Sequence, residues 1–156
     1  MATNRESLRL DLSGLDAVKS VARARSITLK GVKAGSKLVQ AAVKARAPKR
    51  SGALGQSIGT KAVKGKRGRT VAFAVIGARV KFQKTIKRGR GKGTVAKPHK
   101  YAGIVNKGSR HSKGTHFLDN AFTSTRAQAA AAGMQAIRAE LARTLAAAQA
   151  KLSQGA

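Results

Sequence analysis

Cysteine and tryptophan are absent from this 156-residue sequence, tyrosine occurs once and proline twice. Without cysteine there can be no disulfide framework and no thiolate metal site. Aromatic residues make up only 3% of the chain, so a core must be built from Val, Ile, Leu and Ala. Acids are scarcer still: Glu6, Asp11, Asp16, Asp119 and Glu140 are all of them. Such a supply offers no paired carboxylates for acid–base catalysis, which argues against an enzyme. Long apolar runs are missing too. Nothing approaches the roughly eighteen residues of a membrane span, and the opening "MATNRESLRLDL" has no apolar signal core. The expectation is a soluble protein, made in a cytoplasm, with no membrane partner.

Positive charge is abundant. Thirty-three Lys and Arg stand against five acids, a formal net charge of +28. All but six of the cations (Arg5, Arg9, Arg126, Arg138, Arg143 and Lys151) lie between Asp16 and Asp119, where no acid occurs. Internal ion pairs therefore cannot neutralise the middle of the chain, which repels itself and calls for anionic company. Nucleic acid is the first candidate, followed by acidic protein surfaces and anionic membranes. Hydrophobic residues are 42%, ordinary for a globular protein, and the length suffices for one domain with a real core.

The pattern along the chain points to an α+β fold. Leu8, Leu10 and Leu12 alternate with Arg9 and Asp11, which predicts a short half-buried strand. From Asp16 to Arg46 the period becomes helical, with Val18, Ala22, Leu29, Val32, Val39 and Val43 on one stripe. Gly31 and Gly35 within it mark a bend or a close contact, and Ala47-Pro48 should end it. "QSIGTKAV" and "TVAFAVIGARVKF" read as two strands, the second covered on both sides, joined through the basic tip "KGKRGR". "KTIKRGRGKGTVAKPHK", Lys84 to Lys100, reads as a basic loop or hairpin anchored in a folded body. "YAGIVN" reads as a further strand and "KGSRHSKGTH" as a second basic loop. A long helix is expected from Asp119 to about Leu152, with Met134, Ile137, Leu141, Leu145, Ala148 and Leu152 on its buried stripe. Alanine-rich stripes bury little area, so they serve either the chain's own core or a neighbouring subunit.

Motifs for small-molecule chemistry are weak. His99, His111 and His116 are the only imidazoles. His116 with Asp119 and Ser109 or Ser112 could be arranged as a nucleophilic set, but nothing fixes the geometry. His111 and His116 lack a third metal ligand. The glycines of "RGRGKG" never meet the P-loop pattern and read better as a flexible hairpin. No cofactor or metal is expected. The basic clusters carry the signal: Lys64, Lys66, Arg67 and Arg69 at the first tip, and Lys84, Lys87, Arg88, Arg90, Lys92 and Lys97 on the longer loop. Few aromatics and no recognition-helix signature favour phosphate contact that is indifferent to sequence and sensitive to salt.

Two segments resemble a known family. "AVKARAPKRSGALGQSI", Ala42 to Ile58, is similar to a signature in which a helix ends in Ala-Pro and a Ser/Thr-Gly-x-Leu turn enters a strand; Pro48, Ser51, Gly52, Leu54, Ser57 and Ile58 match. "YAGIVNKGSRHSKGTHFLDNAF", Tyr101 to Phe122, is similar to a second, in which a Tyr-Ala strand runs into a Gly-Ser/Thr loop and then Phe-Leu and an Ala near the last helix. Tyr101, Ala102, Gly108, Phe117, Leu118 and Ala121 match it. Both resemble the head–tail joining or tail-completion (neck) proteins of tailed bacteriophages. The resemblance implies one neck-protein-like domain, a small mostly antiparallel sheet with two long helices, and a structural role. It implies a homo-oligomeric ring of about six or twelve copies in the virion, between portal or adaptor and tail proteins, around packaged DNA. Asn106 and Lys107 depart from the family, which often has an acid and an apolar residue there, and Lys84 to Lys97 looks like a basic expansion. Composition alone also suits a nucleic-acid-binding protein of ribosomal or chromosome-coating type.

Overall fold

The computed structural model describes residues 21–49, 52–64, 71–87 and 92–154. Within them the chain is α+β, with two long helices, two short ones and three two-stranded antiparallel ribbons. The expected strand at Leu8–Leu12 lies outside the described residues.

Helix α1 runs Val21–Arg46. Its buried row is Ala24, Ile27, Thr28, Gly31, Val32, Gly35, Ser36, Val39 and Val43, in steps of three and four that keep one face inward. Two hydroxyls on that face are satisfied locally, Thr28 by the Ala24 carbonyl at 2.8 Å and Ser36 by the Lys33 carbonyl at 3.1 Å. The helix stops where Pro48 requires it: Ala47 N–H makes a last bond to Val43 O at 2.9 Å. A short helix α2, Ala53–Ser57, then intervenes before strand β1, Ile58–Lys64. The expected strand thus begins two residues late. Gly52 at φ 64° makes the turn into α2 and gives its carbonyl to Gln56 N–H, while Leu54 and Ile58 are buried at 4% and 1% exposure.

Strand β2, Ala72–Ala78, pairs with β1. It is not covered on both sides: Ala72 is buried, but Val75 is 51% exposed. Two-residue strands β3, Lys84–Thr85, and β4, Val95–Ala96, form the second ribbon, with Lys84 opposite Ala96.

The "YAGIVN" segment is a helix, not a strand. Helix α3 spans Pro98–Lys107. Its period is visible in hindsight: Pro98 and Asn106 are buried, Tyr101, Ala102 and Val105 are half-buried, and Gly103, Ile104 and Lys107 face out. A proline at the first helical position, with φ already suited to the turn, outweighs the β-leaning Tyr, Ile and Val. The Tyr-Ala pair of the second signature is therefore helical here.

After α3, β5 (Gly108–Ser109) and β6 (Ser112–Lys113) form the third ribbon. Helix α4, Phe117–Gln154, follows with Asp119 in its first turn, where a negative charge suits the helix dipole. Its buried row is Phe117, Ala121, Ala129, Gly133 and Ile137. The expected stripe is only partly right. Ile137 is buried and Met134 and Leu141 are half-buried, but Leu145 is 63% exposed, and the side chains of Ala148 and Leu152 lie outside the described set. Small residues, which carry little hydrophobic signal, occupy the inward positions instead.

The chain divides into two compact units. One draws on α1 up to Ser36, on Ala62–Val75 and on α4 from Ala127; the other comprises Lys37–Lys61 and Ile76–Arg126. In the first unit α1 and α4 meet at Gly31. A Cβ there would stand 2.5 Å from Ile137 Cγ1 and 2.8 Å from Gly133 O, so no side chain fits. This is the close contact expected at Gly31. The second unit holds the α2 turn, the β3–β4 and β5–β6 ribbons, α3 and the start of α4.

Candidate anion-contacting ribbons

Five of the predicted contact residues, Lys66, Arg67, Arg69, Arg88 and Arg90, lie outside the described residues. Lys64 is the last residue of β1. The other four, Lys84, Lys87, Lys92 and Lys97, are brought onto one ribbon. Beyond the two paired residues of each strand the ladder continues, with Ile86 N–H donating to Thr94 O at 2.9 Å and Gly93 N–H to Ile86 O at 2.9 Å. The segment is thus a hairpin held at its base, as its position between structured segments suggested.

Its cations are not equivalent. Lys84 is half-buried at the base, its Nζ 3.9 Å from where a Gly52 Cβ would be, which sets the ribbon beside the first-signature turn. Lys87, Lys92 and Lys97 are exposed. Lys97 occupies the N-cap position of α3 without a side-chain cap bond, and no acid lies in that helix's first turn. The positive end of the α3 dipole therefore adds to the field of Lys97 and Lys100 instead of opposing it. Among the described residues the carboxylates are Asp119 and Glu140 alone, and both are engaged elsewhere.

Glu140 receives the Lys30 ammonium and lies 4.0 Å from Arg143 Nη1. The Lys30 hydrogen bond, aided by the charges of Lys30 and Arg143 and opposed by burial, holds its carboxyl below the ordinary range. Asp119 Oδ2 accepts from Asn106 Nδ2 at 3.0 Å and lies 3.5 Å from His116 Nδ1. Ser109 and Ser112 are hydrogen-bonded to each other at 3.0 Å. The contacts of Asp119 thus run to Asn106 and His116, and those of Ser109 and Ser112 to each other. Among the described residues no group of three His, Asp or Glu could hold a metal ion, and no helix is long and apolar enough to cross a membrane.

Some cations are structural. Arg79 sends Nε to Ser57 O at 3.2 Å and Nη2 to Gln56 O at 3.1 Å, and its guanidinium lies 5.5 Å from the Phe82 ring centre. It closes the end of α2, whose last carbonyls need donors. Arg46 Nη1 donates to Asn120 O and to Ser124 Oγ, tying the end of α1 to the start of α4. Charge counting cannot separate these arginines from the solvent-facing lysines.

The residue that sequence reasoning missed is Asn106. It is 4% exposed, and its Oδ1 accepts from Leu118 N–H at 2.9 Å while its Nδ2 donates to Asp119. Leu118 N–H is one of the orphan donors at the start of α4, so a side chain from α3 caps the next helix. Backbone bonds reinforce the joint: Thr115 N–H to Val105 O at 2.9 Å and His116 N–H to Asn106 O at 2.8 Å. The departure from the family at Asn106 was the available signal. Of the second-signature residues, Phe117 and Ala121 are buried, Leu118 is half-buried, and Gly108 takes φ 90°.

No protein-family model, no curated protein and no solved structure matches this chain.

Proposed function

We propose that this chain is a structural, non-enzymatic subunit of the neck of a tailed-phage virion. Copies form a ring where the portal or adaptor meets the tail, and the basic ribbons face the DNA that passes through. Support comes from the resemblance of the two segments around Pro48–Ile58 and Tyr101–Ala121, and from electrostatics. The observation that carries the reading is the β3–β4 ribbon: exposed Lys87, Lys92 and Lys97 on a hairpin tied at its base, in a stretch of chain without one acid. A free tail of the same composition would bind anions but would place them nowhere. A ring of such subunits multiplies the field along its axis.

Two measurements test this. Light scattering on the purified chain, alone and with the portal protein of the same genome, should show a closed ring that joins the portal. A monomer that ignores the portal and merely binds duplex with a steep salt slope would overturn the ring. Reversing Lys87, Arg88, Arg90 and Lys92 to Glu should impair DNA retention or tail joining. Particles that package, retain DNA and join tails as the parent does would remove the ribbon from the mechanism.

A further inference from the structure

The "KGSRHSKGTH" segment forms a second cationic surface with its own construction. The ribbon β5–β6 turns through Arg110 and His111, with Gly108 opposite Lys113 and Ser109 opposite Ser112. Its base is fixed by backbone. A Cβ on Gly108 would stand 2.6 Å from Gly114 N and 2.8 Å from Ser112 O, and one on Gly114 would stand 2.5 Å from Asn106 O. Only glycine permits that approach. Gly108 N–H caps α3 by donating to Ile104 O, and Thr115 and His116 bond back to α3. Residues Lys107 to Gly114 line an open concavity of about 550 Å³.

Three cations line this concavity, Lys107 from the end of α3 and Arg110 and Lys113 from the ribbon, all exposed. The nearest acid in sequence, Asp119, is occupied by Asn106 and His116. Two observations decide the partner. From Lys107 to His116 there is not one apolar side chain. Of the residue types that dominate protein–protein affinity, a protein partner would therefore find Arg110 alone in this segment, with no apolar or aromatic anchor beside it. A phosphate backbone needs none: Lys and Arg charges with Ser hydroxyls beside them are the usual set for phosphate contacts. A two-stranded ribbon is also narrow enough to enter the major groove of duplex DNA.

We infer that the 107–114 ribbon is a preformed, sequence-independent contact for the phosphate backbone of duplex DNA, carried by Lys107, Arg110 and Lys113. The site is separate from the β3–β4 ribbon and holds whether or not the chain forms a ring. The test is the anisotropy of a labelled duplex oligonucleotide titrated with the full chain across a salt series. The variant replaces Lys107, Arg110 and Lys113 together by Gln. The control replaces Lys33, Lys37 and Lys44, exposed on α1, by Gln. Circular dichroism confirms that both are folded.

If all three cations neutralise phosphates, the log–log salt slope should flatten by about 2.7 in the ribbon variant, at roughly 0.9 per contact, and by clearly less in the control. Equal flattening in variant and control would show diffuse charge and overturn the site, as would an unchanged slope. Polyglutamate supplies the remaining arm. If it displaces the duplex at equal charge concentration from the parent but not from the ribbon variant, the surface is one for acidic protein and the inference fails. Because these measurements use the isolated chain, their failure leaves the neck reading untouched, and a failed ring assembly leaves the ribbon untouched.

Discussion

Around Gly31, α1 and α4 touch through small residues, and the local charges close on themselves as Lys30 and Arg143 share Glu140. Around Asn106 the chain is mostly ribbon and short helix, its joints are hydrogen bonds to backbone, and its lysines face solvent with no carboxylate to meet them. The first region is held by packing, and its one described carboxylate is taken by two cations. The second is held by directional bonds, which leaves its charges available. The difference teaches where function can reside in a chain of +28. Glu140 at the helical crossing offsets part of that region's positive charge, and the absence of acids from the ribbon strands keeps those surfaces attractive to anions.

The sharpest way to break this contrast is to spoil the crossing. Ile137→Ala removes a side chain that is 2% exposed and should cost about 3 kcal/mol in urea unfolding. Gly31→Ala should cost about 2 kcal/mol, because overpacking against Ile137 and the Gly133 carbonyl exceeds the gain in helix propensity. Combined, the two should cost about 1 kcal/mol less than their sum, since the shorter side chain vacates part of the space a Cβ at position 31 needs. Strict additivity would mean the helices do not meet there.

The ribbon region answers to a different change. Asn106→Ala should cost about 1.5 kcal/mol by removing the acceptor of Leu118 N–H and one donor to Asp119. Hydrogen exchange should quicken at Thr115 and His116 while amides near Gly31 are unaffected. Uniform quickening would mean that the joint is not local.

The smallest effect belongs to Glu140. Its carboxyl titrates below the ordinary range in the fold, because Lys30 hydrogen-bonds its charged form and Lys30 and Arg143 attract it. A lowered folded value favours the native state above the unfolded pKa, and that increment is lost as pH falls through the folded value. Glu140→Gln should therefore narrow its stability gap from the parent between about pH 7 and about pH 3. A gap that stays constant with pH would show that the pair contributes only shape.

Much of the fold was readable because it rests on period and punctuation. The inward Val32, Val39 and Val43 of α1, its stop at Ala47-Pro48, the β1–β2 strands and the long last helix follow from local rules, while Leu29 of the expected stripe is half-buried and Val18 and the side chain of Ala22 lie outside the described set. The failures have local causes as well. In "YAGIVN", three β-leaning residues concealed a helix that Pro98 starts and that runs to Lys107. On α4 the leucines drew the stripe outward because hydropathy ignores Ala129 and Gly133, which are inward for their smallness. Of the six predicted cations of the longer loop, Lys84, Lys87, Lys92 and Lys97 gather on one ribbon, while Arg88 and Arg90 lie outside the described residues; the backbone-bound role of Arg79 left no mark in the sequence. Asn106 was visible only as an oddity, since a cap supplied by another helix has no sequence interval of its own.

Composition and order along the chain were enough to establish the α+β class, the excess of positive charge and its confinement to a stretch without acids, because these depend on neighbours in sequence. Which cations are consumed by carbonyls, which glycines hold two backbones together and which asparagine caps a distant helix were decided by tertiary structure alone. Hydrogen bonds and steric limits act between atoms within a few ångströms, whatever the number of residues between them.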